Sequence, residues 1–386
     1  MKTFLKKFVF LLCTLLGIAL VYSQKVLVPK VDASLNTVDD HAPYPVSNDA
    51  QSLHDTLIIA DLHADALLWK RDVTQRHDYG HVDLPRLREG GVDIQIFSAV
   101  TKSPRGLNFD GNSADAPDDI TRLVIAQLWP IRTWGSIYER AAYQAKRLQR
   151  VESKSKTRFV IARTQSDIAQ PAGVLIGVLA TEGSHPLEGD IDNIKRLYNA
   201  GYRMMGLQHF FDNALGGSLH GQSKSGLTEF GRAAVAKMHQ MDIIVDVAHS
   251  SEAVIREVLE LSPEPIIISH GGLASACPRT ANRNMPDDIL TEIARRGGLI
   301  GIGYFEGAIC DITPKGISDA IIAAIDLMGP DAVALGSDFD GTVATSLDTS
   351  ELAAITHELL ARDIEADIIA KVMGGNVKRF LSQNLP

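Results

Sequence analysis

The segment Asp61-Leu62-His63-Ala64-Asp65 follows the apolar run Thr56-Leu57-Ile58-Ile59-Ala60. A β-strand puts residues i and i+2 on one face, so the His63 imidazole and the Asp65 carboxylate can converge at the strand's end. Imidazole with carboxylate suits a borderline divalent cation such as zinc. A lone H-x-D also arises by chance, as a solvated loop or a helix N-cap. Its weight depends on whether other apolar runs end the same way. Ile176–Thr181 ends in Glu182, Met204–Gln208 in His209, Ile243–Ala248 in His249, Ile266–Ser269 in His270 and Ala334–Ser337 in Asp338. Any one of these reads as a capping or hydrogen-bonded structural residue. Jointly they are hard to attribute to capping, because the other loops offer Ser, Asn and Gly for that work.

This set holds more imidazoles and carboxylates than one tetrahedral ion uses. It fits two ions about 3.5–4 Å apart that share a bridging group. A glutamate can bridge with its two oxygens, and Glu182 is central in strand order. Such a pair lowers the pKa of a shared water towards neutrality and supplies a hydroxide nucleophile.

The elements that must position these groups are legible as apolar runs. They are Leu57–Ala60, Val92–Ala99, Val174–Ala180, Met204–Gln208, Ile243–Ala248, Pro265–Ser269, Leu299–Tyr304 and Ala332–Ser337. Continuous Val/Ile/Leu runs that alternate with helical patterns mark a parallel sheet covered on both faces. Helical spacing recurs in Phe230, Ala233, Ala234, Met238 and Met241 behind the candidate N-cap Thr228, and again over Ile317–Met328. Eight strand–helix units in one α/β domain predict a (β/α)8 TIM barrel, the fold whose strand C-termini carry the chemistry. Between the second and third runs, Ile120–Val151 reads as a helical insertion with Trp129, Trp134 and Tyr138.

The chain has 386 residues, 45% hydrophobic and 22% charged, with a formal net charge of −9. That is globular composition, and the absence of a long basic run beyond the first residues argues against nucleic-acid binding. Lys2, Lys6 and Lys7 precede an apolar stretch from Phe8 to Tyr22, the pattern of a secretory signal. The stretch is short for a span of about 20 residues. Val21-Tyr22-Ser23 before Gln24 is a poor small-x-small cleavage site, so an uncleaved membrane anchor is the alternative. Cys13 lacks the preceding small residue of a lipoprotein site. Either way the body is expected to be exported to the periplasm. The domain plan is then residues 1–23 as signal or anchor, 24–50 as a linker or arm, and 51–386 as the barrel. In an oxidising compartment Cys277 and Cys310 form one disulfide or stay as two buried thiols.

The segments Asp61–Asp65, Thr181-Glu182-Gly183, Leu207-Gln208-His209, Asp246–His249, Ile268-Ser269-His270, Arg283–Asp288 and Gly336–Gly341 resemble, in order, the membrane (renal-type) dipeptidases of the amidohydrolase superfamily. The resemblance runs from about residue 50 to the C-terminus and implies the same barrel. It implies a dipeptidase that holds two zinc ions. His63 and Asp65 would serve one ion, His249 and His270 the other, with Glu182 between them. Asp338 would be the acid/base, and His209 would steady the oxyanion. Arg283 would grip the substrate's terminal carboxylate, with Tyr304 assisting. A disulfide between Cys277 and Cys310, acceptance of a C-terminal D-residue and a homodimer are further implications of the resemblance. Ala64 departs from mammalian members, which have Asn there. In the loop Asn213–Lys224, His220 reads as a surface histidine, with a place near the substrate as the alternative. Two other readings compete: a different binuclear amidohydrolase such as a lactonase or deaminase, and a non-catalytic binding barrel.

Overall fold

The computed structural model describes residues 2–155, 157–278 and 282–386. Eight parallel strands form its centre: β1 (Ile59–Ala64), β2 (Val92–Val100), β3 (Leu175–Glu182), β4 (Tyr202–Gly206), β5 (Ile244–Asp246), β6 (Ile267–Gly271), β7 (Leu299–Ile302) and β8 (Val333–Leu335). Each pairs with its successor, and Leu335 of β8 lies opposite Asp61 of β1, so the ring closes. Closure leaves no barrel strand with an unpaired edge. A short strand the sequence reading missed, Phe159–Ile161, adds to the outside of this order beside β3. It is too short to show periodicity.

The eight apolar runs correspond to the eight strands, with shifted boundaries. The largest shift is in β1, read as ending at Ala60 and observed to Ala64. His63 is therefore inside the strand. Glu182 is the last residue of β3, whereas His209, His249 and Asp338 each lie three residues past their strands.

Two apolar layers hold the barrel. Leu62, Ile94, Ile96, Ile176, Val178 and Met204 pack together with Val377, Phe380 and Leu381 of the C-terminal helix Asn376–Asn384. This cluster contains none of the outer helices, so it fills the barrel's interior and closes its N-terminal end. The second layer joins Phe97, Leu179, Val245, Ile268 and Ile300 to helical residues such as Leu148, Leu197, Met238, Val258, Ile293 and Ile321. Burying one such aliphatic side chain stabilises by roughly 1.5–3 kcal/mol. The helices start where side chains can cap them. Thr228 accepts from the Gly231 amide, Ser251 from Val254 and Thr313 from Gly316. Pro314 at the first turn explains why the last of these begins ahead of Ile317.

The insertion after β2 is helical and consists of three helices: Asp119–Ala126, Arg132–Gly135 and Ile137–Lys154. Pro130 lacks the amide a continuous helix needs there. Near the N-terminus, Lys2–Tyr22 is an exposed apolar helix, long enough by length and composition to cross a membrane, as a signal sequence also is. The stretch read as a linker contains the helix Val28–Leu35 and a strand, Thr37–Val38, that pairs with Ala344–Thr345. Cys277 and Cys310 are disulfide-bonded across a separation of 33 residues. Closing a loop of that length stabilises by about 3–4 kcal/mol in the chain-entropy account.

Candidate metal centre

The C-terminal ends of the strands converge on one carboxylate oxygen. Glu182 Oε1 lies 3.1 Å from His249 Nε2, 3.3 Å from His209 Nε2, 3.6 Å from His63 Nε2 and 3.7 Å from His270 Nε2. Asp65 Oδ1 is 3.5 Å and Asp338 Oδ1 3.9 Å from His63 Nε2. Ligand atoms close enough to share an ion fall into two groups: His63, Glu182, His270 and Asp338, and then Glu182, His209 and His249. Glu182 belongs to both. The resemblance implies His249 with His270 on one ion and His209 apart from the ligands. His249 and His270 Nε2 are 3.0 Å apart, and ligand atoms also group His270 with His63 and His209 with His249.

Side chains behind the cluster aim it. Ser269 Oγ donates to Asp246 Oδ2 at 2.6 Å and lies 2.9 Å from His270 Nδ1 and 3.3 Å from His63 Nδ1. With its proton given to Asp246, Ser269 can accept from both rings. Both histidines then keep Nδ1–H and present a bare Nε2 lone pair to the cluster. The Lys102 carbonyl, 3.1 Å from His209 Nδ1, takes that ring's Nδ1–H and turns Nε2 towards Glu182. Asp61 accepts from the amides of His63 and Ser337, tying β1 to the turn that carries Asp338. Gly183 has φ 78°, and a Cβ there would lie 2.8 Å from His185 Nδ1, so the turn after Glu182 requires glycine. Asp246 and Ser269 stood inside quoted motifs, yet nothing in a sequence distinguishes a residue that orients a ligand from the ligand itself.

The buried groups fit a cation. His63 Nε2 and Asp65 Oδ1 are buried with no hydrogen-bond partner, although a buried polar atom ordinarily has one. Burial pushes the Asp65 carboxyl up to about 6, and the neighbouring Glu182 charge adds to this. Glu182 and Asp338 are driven apart. Burial opposes the Glu182 charge, but His209 and His249 outweigh it and hold this carboxyl well below its usual range. Burial, reinforced by Glu182 and Asp65, outweighs His63 and pushes Asp338 well above the usual range. Two carboxyls in one pocket are thus shifted in opposite directions, by the imidazoles in one case and by burial in the other.

A cavity of about 200 Å³ opens onto the cluster. Asp65, Glu182, His209, His249, Arg283 and Asp338 line one side; Phe109, Phe210 and Phe305 are on its apolar wall. It is smaller than the 300–1,000 Å³ typical for drug-sized ligands. Arg283 is buried, donating to the carbonyls of Ala248 at 3.2 Å and His270 at 3.0 Å. A larger recess of about 820 Å³ lies at the opposite end, among residues 54–58, 91–94 and 170–176. It carries no metal-ligating cluster among the described residues.

Two expectations are corrected. Tyr304 does not reach the cavity. Its ring packs in the core at 5.5 Å from Phe339, and it is the next residue, Phe305, that lines the wall. His220 is no surface histidine. It is fully buried, stacked on Phe210 at 4.6 Å and edge-on to His249 at 5.4 Å. Burial, aided by the Arg283 charge, depresses its imidazole to about 3. The unfolded chain takes up that proton near pH 6.5, so stability is lost as pH falls from about 6.5 towards 3, by up to about 5 kcal/mol. Urea midpoints of the metal-free protein should therefore drop more steeply over this window in wild type than in His220→Phe. Parallel curves would show that His220 does not couple to folding.

A closed parallel barrel with a buried imidazole–carboxylate cluster at its C-terminal mouth defines a metal-dependent hydrolase class of (β/α)8 protein. The profile of the membrane dipeptidase family, peptidase family M19, matches residues 47–385, and the chain belongs to that family. It is a metallo-dipeptidase, a hydrolase acting on dipeptides. Among its relatives, dipeptidase aclJ of Aspergillus oryzae is 28% identical over 344 residues, 84% of this chain and 77% of that protein. Dipeptidase verJ of Clonostachys rogersoniana is 28% identical over 310 residues, 78% of this chain and 75% of that one. Among solved structures, the dipeptidase AC of family M19 superposes with a TM-score of 0.69 at 23% identity, over 86% of this chain and 99% of that one. A metallopeptidase from Rhodobacter sphaeroides, liganded with a phosphinate mimic of L-Ala-D-Ala, superposes with a TM-score of 0.68 at 23% identity, over 85% and 99%.

Proposed function

We propose that this chain is a zinc-dependent dipeptidase that cleaves dipeptides, including those with a C-terminal D-residue, and that it works outside the cytoplasm. The observation that carries the metal assignment is the approach of four imidazole nitrogens to one Glu182 oxygen, at 3.1–3.7 Å. His63, Asp65, Glu182, His249 and His270 would hold two ions, and His209, whose Nε2 is 3.3 Å from Glu182, would act at the oxyanion. Two such ions, when bound, would bring the pKa of the attacking water to about 7 and polarise the scissile carbonyl. Asp338 accepts the proton of the attacking water and returns it to the leaving amine, for which its raised affinity for protons suits it. The Lys102 carbonyl accepts from His209 Nδ1–H and fixes the ring. Burial opposes its charge, but Glu182 outweighs burial and raises its affinity for a second proton, so the cationic ring offers Nε2–H to the developing oxyanion. Arg283 receives the substrate's terminal carboxylate and so confines substrates to short peptides. Acceptance of a D-residue draws support from the L-Ala-D-Ala mimic bound by the Rhodobacter sphaeroides metallopeptidase.

The direct test is metal content measured alongside a dipeptide panel with L and D C-terminal residues, before and after chelation and zinc addition. The expected result is about two zinc ions per chain and activity that follows them. Full turnover by metal-free protein would refute it. Arg283→Ala should lower kcat/KM by about 10²-fold, mainly through KM, and Arg283→Lys should restore little because it lacks the planar fork. An unchanged KM would remove Arg283 from substrate recognition and favour another amidohydrolase reaction. Export is read from the exposed helix Lys2–Tyr22. Cell fractionation with N-terminal sequencing of the mature protein distinguishes a cleaved signal from an anchor, and a cytoplasmic product would reject both.

A further inference from the structure

The turn that carries Asp338 has an unusual backbone. Asp338, Asp340 and Thr342 all have φ near +62° (62°, 63° and 62°), the left-handed region that residues with a Cβ seldom occupy. Such conformations persist only where the surroundings over-determine them. Here Asp340 does much of the holding. Its Oδ1 accepts from the His81 amide at 2.7 Å and sits 2.7 Å from Arg71 Nη2, and its Oδ2 accepts from the Val82 amide at 3.3 Å. Its own amide donates to His81 Nδ1, and its carbonyl accepts from Trp69 Nε1 at 2.7 Å. Burial opposes the Asp340 charge, but Arg71 and His81 outweigh it and keep the carboxyl well below its ordinary range.

Arg71 does not end the chain of contacts. Its Nε donates to Asp32 Oδ2 at 2.8 Å, in the segment that the sequence reads as a linker. Asp32 Oδ1 accepts from Asn36 Nδ2 at 2.9 Å, and Asn36 Oδ1 accepts from the Thr342 amide at 3.0 Å. Thr37–Val38 then pairs with Ala344–Thr345. Asp32, Asn36, Arg71 and Asp340 are all buried. Gly80 makes room for this: a Cβ there would lie 2.3 Å from Arg71 Nη1. The arm thus grips both sides of the strained turn, at Asp340 through Arg71 and at Thr342 directly.

We propose that residues 32–38, with Arg71 and Asp340, are a positioning device for Asp338. They clamp the left-handed turn that aims its carboxylate at the cluster, and the arm is therefore part of the catalytic unit. This rests on the reading of Asp338 as the acid/base. None of the arm residues touches the candidate ligands or the cavity.

The test uses the full-length chain with Asn36→Ala, Asp338→Asn and the double variant, each measured for kcat, KM, zinc content and hydrogen exchange over residues 338–345. Asn36→Ala is expected to lower kcat at least about tenfold, as a small misplacement of a reacting group does, with KM within about twofold. Zinc content should be unchanged and exchange in the turn faster. In the Asp338→Asn background the same substitution should change the residual rate by less than about twofold, because the two act as one unit. Should Asn36→Ala fail to fold, Asp32→Asn keeps the side chain's size and serves in its place. Unchanged kcat in a folded, zinc-loaded arm variant, while Asp338→Asn is inactive, overturns the proposal and leaves the acid/base reading standing. An equal loss in both backgrounds overturns it too, since the arm would then act elsewhere. Full activity of Asp338→Asn removes the reading on which it rests.

Discussion

Asp338→Asn should lower kcat by about 10²–10⁴-fold, the range general acid–base catalysis spans, while zinc content and KM stay close to wild type. The substitution is nearly isosteric, and asparagine tolerates the φ of 62° that this position imposes, which alanine does not. What it removes is the ability to carry a proton. Asp338 is buried, 3.9 Å from His63 Nε2, in a setting that raises its carboxyl well above the ordinary range. A group so placed holds a proton closer to neutral pH than a solvated carboxylate can, as delivery to a leaving amine requires. Because the transfer happens only on the way to the transition state, the loss falls on kcat rather than on KM. Steady-state kinetics with metal analysis of the same sample decide it. A variant that keeps both zinc and turnover would exclude the assigned role.

Glu182→Gln should be as severe by a different route. One Glu182 oxygen faces four imidazole nitrogens, and its carboxyl is held ionised by His209 and His249 against burial. Glutamine preserves the volume but removes the negative charge common to both ligand groups. Changing a residue that merely supports a ligand typically costs 10–100-fold in metal affinity, so losing the shared ligand should cost more than about 100-fold. Unassisted water ionises with a pKa of 15.7, and activity at ordinary zinc concentrations should fall below about 1% of wild type. Titration with zinc separates the two variants, since excess metal should recover part of the Glu182→Gln activity and none of the Asp338→Asn activity. Retention of two ions by Glu182→Gln would dismiss the bridging assignment.

Much of the barrel was readable from the chain because its strands are buried on both faces and so appear as unbroken apolar runs. Their ends were less readable. Leu57–Ala60 reads as the whole of β1, yet pairing carries the strand on to Ala64, because Asp61 and His63 are met there by Ser337, Gln95 and Ser269 rather than by water. The linker reading of residues 24–50 failed to foresee Asp32 and Asn36 for a related reason. Polar residues between turn formers look solvated, and only their distant partners Arg71 and Thr342 make burial affordable.

Residue types alone determined that His, Asp and Glu stand at the ends of six of the eight strands, and a closed barrel brings such ends to one mouth whatever the helices do. Which oxygen lies between the imidazoles was decided only by tertiary structure, as were the ring nitrogen each histidine presents, the burial of His220 and the retreat of Tyr304 into the core. These depend on side-chain directions and on hydrogen bonds between residues far apart in the chain, as between His63 and Ser269, 206 positions apart. Local spacing carries no information about such contacts.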